Sequence, residues 1–274
     1  MNEIRNPDQQ FAGSIPELYD THMVPLIFEA YAQDIARRVA SLRPERVLEV
    51  AAGTGVVTRA LAKLVGESAT IVSTDLNPAM LARAQSVGTA RPVHWQQADA
   101  THLPFADAQF DVVVCQFGVM FFPEKAKAFE EIKRVLSPRG VFIFNVWDRI
   151  EDNAFAHVVT NALASVFLTD PPTFMKRIAH GYHDLRLIER DLRSGGFGGQ
   201  ILLETMSLVS RSDTPNIAAI AYCQGTPLRL EIEAHGSDAL PRATKASTAA
   251  LTDRFGSGPI EGTIQAHVCV ASPR

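Results

Sequence analysis

Hydrophobic positions along this chain follow two rhythms, and the alternation between them outlines a series of helices and strands. A stripe at helical spacing, Leu26, Ile27, Tyr31, Ile35, Val39 and Leu42, predicts a leading helix over 18–42. Short apolar runs then predict strands at 46–51, 69–74, 92–97, 110–115 and 141–146. Helical patterns fall between them at 55–64, from Pro78 through Ala84, and over 124–136, where Pro138 and Gly140 stop the helix. Strands that are apolar at nearly every position and alternate with helices predict a parallel sheet covered on both faces.

The second half is less regular. Helical stretches are expected at 155–167, ended by the Pro171-Pro172 breaker, and at 184–194, followed by an alternating strand over 199–209. Further helices are expected around 217–222, 228–234 and 239–255, before a last strand at 262–271. The connection of about 50 residues between these two strands is too long to lack structure of its own. It is expected to join 149–182 in a cap over the ligand edge of the sheet.

Composition narrows the class. A chain of 274 residues, 46% hydrophobic, suits one large α/β domain with an embedded subdomain. It has no uninterrupted apolar run of about 20 residues and no basic, apolar leader, so a soluble, cytoplasmic protein without a membrane partner is expected. The net charge of −4 supplies no general attraction to nucleic acid. Cys115, Cys223 and Cys269 lack ligand spacing, the histidines are dispersed and H-E-x-x-H is absent; buried thiols and no metal site are expected.

The turn after the first strand carries the strongest chemical signal. Gly53 and Gly55 stand where a ligand approaches the backbone and the next helix presents its amide groups. Asp75, at the end of the second strand, is placed to accept hydrogen bonds from ribose hydroxyls. A dinucleotide fingerprint needs a third small residue where this chain has branched Thr58. Glu49 would repel a pyrophosphate, yet it suits a ligand bearing an ammonium and a sulfonium.

Five segments together resemble the motifs of class I S-adenosylmethionine-dependent methyltransferases: Val47–Gly55 (VLEVAAGTG), Thr74–Leu81 (TDLNPAML), Ala98–Phe105 (ADATHLPF), Phe110–Cys115 (FDVVVC) and Phe129–Gly140 (FEEIKRVLSPRG). The resemblance covers roughly 42–147. It implies an α/β fold with a Rossmann-like seven-stranded methyltransferase sheet, its last strand antiparallel, helices on both faces and a mainly helical cap. The organisation expected is an N-terminal helical or lid segment 1–41, with residues 1–16 loosely held, a cofactor-binding core 42–148, a cap insertion 149–182, a core continuation 183–209, a second cap insertion 210–261 and a terminal core strand 262–274.

The resemblance further implies that S-adenosyl-L-methionine is the cofactor. Glu49 would orient its methionine end, while Ala51, Gly53 and Gly55 form the pocket wall. Asp75 would bind the ribose, Leu76 would pack on the adenine, Asp99 would accept from the adenine amino group and the Ala100 amide would read a ring nitrogen. Gln116 and Phe117 would lie by the methionine portion, and Tyr19 resembles an aromatic that some relatives fold over the cofactor. The family pattern commonly has glycine where this chain has Ala51.

The partner expected is a small, apolar or aromatic methyl acceptor; no oligomeric state follows from the sequence. Methyl transfer needs in-line approach, and needs a base only if the acceptor must lose a proton. His180, His183 and Asp148 are the candidates for that role, each with an ordinary structural alternative such as capping or packing. Arg229 is a candidate for holding an acidic acceptor, or for a plain salt bridge. The alternatives are an NAD-dependent oxidoreductase and a nucleoside-binding regulatory protein without turnover.

Overall fold

A computed structural model describes residues 6–274. Residues 1–5 of the segment expected to lie loosely fall outside the described residues. The strands are β1 (Arg46–Val50), β2 (Thr70–Asp75), β3 (His94–Gln97), β4 (Phe110–Gln116), β5 (Leu136–Trp147), β6 (Ile201–Ser212) and β7 (Ile260–Ala271). They form one seven-stranded sheet in the order β3-β2-β1-β4-β5-β7-β6. The pairs β1–β2, β2–β3, β1–β4 and β4–β5 are parallel. Strand order therefore reverses between β1 and β4, and a ligand site is expected beyond the carboxyl ends of those two strands.

The chain divides into two compact units. The first comprises Glu29–Val146, Tyr182–Met206 and Ala266–Arg274. Side-chain alternation gives its part of the sheet two apolar faces. Val47, Val112, Val114 and Ile143 point to one face, where they pack with Ile35 and Val39 of α2 (Glu29–Ser41) and with Val57 and Leu61 of α3 (Val56–Leu64). Phe142 and Phe144 point to the other, stacked with centroids 4.7 Å apart and joined by Phe129 of α5 (Lys125–Val135). The two remaining helices of this unit are α4 (Pro78–Val87) and α7 (Leu185–Ser194). Asn77 and Asp184 cap them, their side chains accepting from the amides of Ala79 and Arg186.

The second unit takes the described residues through Phe28, then Trp147–Gly181 and Ser207–Gln265. A short α1 (Ile15–Leu18) opens it, and α6 (Ala154–Val166), α8 (Pro215–Gln224), α9 (Leu228–Glu233) and α10 (Ala239–Phe255) make up its bulk. The contacts between α8 and α10 are lined by small side chains: Ala218, Ala219, Ala221, Ala239, Ala243 and Ser247 are buried. Arg229 makes an ion pair with Glu233 one turn on, at 2.7 Å, and donates to Ser14 Oγ at 2.8 Å. Its salt-bridge reading is the one the structure shows.

Two local departures from the predicted elements have simple causes. The leading helix is not uniform: Tyr19–Phe28 winds as a wide π-type helix before α2 begins. Pro25 lies inside it and offers no amide to an ordinary helical ladder. At the other departure, β5 pairing begins at Leu136, opposite Phe110, but the next partners are Val112 and Val141. The Ser137–Gly140 stretch is thus looped out, which is how Pro138 and Gly140 end α5 and still permit pairing on both sides.

Among the described residues no helix is long and apolar enough to cross a membrane. Cys115, Cys223 and Cys269 are buried free thiols, and burial pushes the thiol of Cys223 up to about 11. No group of three or more His, Cys, Asp or Glu side chains among the described residues is placed to hold a metal ion.

Gly55 gives a direct test of the β1–α3 turn. Its φ is +83°, and a Cβ there would stand 3.0 Å from Trp95 and 3.1 Å from Ala84. Gly55→Ala is expected to cost about 1–3 kcal/mol from strain and overpacking. A thermal melt should show a midpoint lowered by several degrees; an unchanged midpoint would contradict this geometry.

Candidate active site

The turn after β1 is tied to the end of β2 by one carboxylate. Asp75 Oδ2 accepts from the Gly53 amide at 2.8 Å, and Oδ1 accepts from the Asn77 amide at 2.7 Å. Asp75 is half-buried, and burial raises its pKa to about 6 against the lowering effect of the Asn77 and Gly53 amides. Each oxygen keeps a second lone pair, so the side chain can hold the turn and accept ribose hydroxyls together. The Ala52 amide donates to the Thr74 carbonyl at 2.9 Å, adding a backbone tie between the same segments.

Glu49 lies below this turn and is only 2% exposed. Thr58 Oγ1 donates to its Oε2, and Ser73 Oγ donates to the same oxygen at 3.1 Å. Burial lifts the Glu49 pKa to about 7, with Thr58 and Ser73 acting in the opposite direction. Sequence reasoning used Thr58 only as a branched residue spoiling a dinucleotide fingerprint. Its hydroxyl is in fact a partner of the strand carboxylate, and the signal lay in two hydroxyls, Thr58 and Ser73, near one acid.

Ala51 adopts φ +56° and Phe117 φ +50°, both left-handed. For alanine this costs about 1–2 kcal/mol, comparable to what burying one Leu side chain contributes. Space for its methyl comes from Gly118: a Cβ at 118 would lie 2.6 Å from both Ala51 Cβ and Cys115 Sγ. The Phe117 amide is held by Asn145, donating to Oδ1 at 3.0 Å and to the carbonyl at 3.1 Å. Gly118 and Asn145 went unnoticed in the sequence because their roles depend on pairing between strands far apart in the chain.

The remaining expected cofactor residues lie along the same sheet edge. Leu76 follows β2, its carbonyl accepting from Gln97 Nε2 at 2.8 Å. Asp99 is exposed and folds into a local turn, Oδ1 accepting from both the amide and the hydroxyl of Thr101 at 2.8 Å. Ala100 is buried beside it. Gln116 ends β4 half-buried, and Phe117 stands edge-on to Tyr31 with centroids 5.3 Å apart. Glu49, Ala51, Gly53, Gly55, Asp75, Leu76, Asp99, Ala100, Gln116 and Phe117 all belong to the first unit.

The other candidates distribute differently. Asp148 and His180 meet within the second unit, where the His180 ring nitrogen Nδ1 lies 2.8 Å from the Asp148 carbonyl. A carbonyl only accepts, so Nδ1 carries the proton and Nε2 is the basic nitrogen. The Asp148 carboxylate accepts from Gln265 Nε2 and from the Arg149 amide, each at 2.7 Å. Tyr19 is also in this unit, stacked 5.0 Å from Phe28, which packs 5.9 Å from Trp147, itself 6.0 Å from His180. His183 is half-buried and belongs to the first unit, so it is not part of this cluster.

Residues 48–144 match the family described as "Methyltransferase domain". Over these residues the chain is similar to methyltransferase domains. The chain is 34% identical over 155 residues to the ubiquinone/menaquinone biosynthesis C-methyltransferase of Azotobacter vinelandii, covering 55% of this chain and 60% of that protein. It is 41% identical over 104 residues to an uncharacterized protein of Mycobacterium bovis, covering 37% of each. The chain thus spans between about a third and three-fifths of the length of these curated relatives.

Two solved structures share the fold of this chain. The YcgJ protein of Bacillus subtilis superposes with a TM-score of 0.56 at 20% identity, over 89% of this chain and 99% of its own. Phosphoethanolamine N-methyltransferase 2 of Haemonchus contortus gives 0.59 at 17% identity, over 97% of this chain and 60% of its own.

The turn between β1 and α3 contains features that fit the cofactor of methyltransferases. Thr54 Oγ1 in the turn and Asn145 Nδ2 near the end of β5 are buried polar atoms without a protein partner, the kind a polar ligand or water satisfies.

The Ala51–Gly118 contact predicts coupled substitutions. Gly118→Ala should destabilise the fold by about 1–3 kcal/mol. In an Ala51→Gly background that cost should fall by at least about 0.5 kcal/mol, with Cys115 Sγ responsible for what remains. Denaturant unfolding of the four proteins measures the coupling, and strict additivity would exclude it.

Proposed function

We propose that this protein transfers a methyl group from S-adenosyl-L-methionine to a small, apolar or aromatic metabolite. The observation carrying the reading is the Asp75 carboxylate fastened to the Gly53 turn, with buried Glu49 alongside, at the point where the strand order reverses. When bound, the cofactor supplies a methyl group already activated on a positively charged sulfur. The chain's residues then have to bind, orient and exclude water.

In this reading Asp75 receives the ribose hydroxyls, and Glu49 faces the methionine ammonium. Ala51, Gly53 and Gly55 make the close wall, Leu76 packs on the adenine, and Asp99 with the Ala100 amide reads its edge. Gln116 and Phe117 border the methionine portion. The room that Gly118 leaves for the Ala51 methyl supports a working pocket over a binding protein that has lost turnover. The buried Thr58–Glu49 hydrogen bond supports S-adenosylmethionine over a dinucleotide, since it keeps an acid at a position that would oppose a pyrophosphate.

The second unit is proposed to bind the acceptor. Support comes from its run of rings, Tyr19, Phe28 and Trp147, ending at His180. An aromatic lining of this kind suits an apolar or aromatic metabolite. The A. vinelandii relative is named a C-methyltransferase, so carbon acceptors belong in the first set tried. His180, with Nε2 as its basic nitrogen, is the preferred base where the acceptor must lose a proton. Asp148 then acts through His180 by fixing its tautomer, and His183 is the alternative base.

Two substitutions test the reading. Asp75→Ala should weaken S-adenosylmethionine binding about tenfold to a hundredfold by calorimetry, because a charged acceptor is lost. Unchanged affinity in a folded variant would remove Asp75 from the site, and micromolar NAD binding without S-adenosylmethionine binding would overturn the whole assignment. With an acceptor that needs deprotonation, His180→Gln should lower kcat by about a hundredfold or more while leaving cofactor affinity within about twofold. An equal loss in both quantities would make His180 a packing residue.

A further inference from the structure

Glu49, Thr58 and Ser73 form a closed polar cluster inside an otherwise apolar layer. Glu49 is 2% exposed, while Thr58 and Ser73 are fully buried. Both hydroxyls end on the same carboxylate oxygen, Oε2, and lie 3.2 Å from one another. The hydroxyls come from different elements, Thr58 from the first turns of α3 and Ser73 from the interior of β2. The β1–β2 register sets Ser73 directly opposite Glu49. The hydroxyls therefore fix the carboxylate's rotation and leave Oε1 as the oxygen available to a ligand.

Such an arrangement stabilises the charged acid. A hydroxyl donating to a carboxylate favours ionisation, whereas burial favours the neutral form. The surrounding charges are mixed: Asp75 at the end of β2 opposes ionisation of Glu49, Arg59 on α3 favours it, and the buried Cys115 of β4 faces the same cluster. The balance puts Glu49 at about 7 in the cofactor-free protein, so near neutral pH the acid is close to half protonated. Asp75, at about 6, is mostly ionised there.

Resting on the methyltransferase reading above, we infer that Thr58 and Ser73 are positioning residues that hold Glu49 ready to receive the cofactor's ammonium group, and that cofactor binding displaces a proton from Glu49. The sign follows from linkage. A cation beside Glu49 stabilises its charged form, so the bound state carries fewer protons than the free state. Affinity then rises with pH toward about 8 and levels off once Glu49 is already ionised. Removing a hydroxyl shifts the free acid toward protonation, so binding weakens most at low and neutral pH.

S-adenosylhomocysteine is a suitable probe because it keeps the ammonium and is chemically stable. Titration calorimetry at pH 7, in buffers of different ionisation enthalpy, should show release of roughly half a proton per probe bound by wild-type protein. Glu49→Gln should bind more weakly and lose that release. Thr58→Val should bind about five- to tenfold more weakly than wild type at pH 7, with the ratio closing toward one by pH 9. Taking the ratio at each pH cancels ionisation of the probe itself. Thr58→Ser should restore wild-type affinity, and Ser73→Ala should reproduce the Thr58→Val trend if that variant fails to fold.

A Thr58→Val deficit equal at every pH would reduce the hydroxyl to a packing role and overturn the inference, as would proton release unchanged in Glu49→Gln. Failure of wild-type protein to bind the probe is a different outcome and would overturn the methyltransferase reading itself.

Discussion

One carboxylate joins three pieces of backbone that would otherwise diverge. Asp75 ends β2, draws the β1 turn toward it through the Gly53 amide and draws in the start of α4 through the Asn77 amide. Buried backbone donors need partners, and this side chain supplies two without spending all of its accepting capacity. The depth of the turn, the direction of α4 and the placement of Leu76 follow from it. Glu49 then sits one layer lower, so the site has a half-buried acid and a buried one at different heights along neighbouring strands. Their different surroundings give them different proton affinities.

The second unit shows another use of main-chain atoms. His180 Nδ1 contacts the carbonyl of Asp148, and the Asp148 carboxylate accepts from Gln265 Nε2 and the Arg149 amide. Contact with that carbonyl gives the imidazole a defined tautomer. Asn153 reinforces the same corner, donating to the Arg149 carbonyl at 3.0 Å and the Gln265 carbonyl at 3.1 Å.

Most of the sheet was legible because alternation and apolar runs report burial directly, as Val112, Val114 and Ile143 illustrate. Gly53, Gly55 and Asp75 were legible because each needs its residue type for a local reason. Other features depend on distant pairing, which a linear reading does not contain. Thr58 looked like a misfit until β2 placed Ser73 next to the same acid. The Ser137–Gly140 excursion was hidden because a helix stop and a strand start share those residues. The wide winding of Tyr19–Phe28 was hidden because its apolar stripe resembles that of an ordinary helix, and only Pro25 hinted otherwise.

Ala51 and Gly118 also constrain the order in which this sequence can change. The methyl at 51 occupies space that a side chain at 118 would need, so a chain holding both would pass through a crowded intermediate. A lineage arriving at Ala51 from glycine adds to the dependence on Gly118 that Cys115 already imposes, and the added part persists until position 51 reverts. The pair behaves as a ratchet: a one-carbon change in a tight turn further narrows a route at a second strand end 67 positions away.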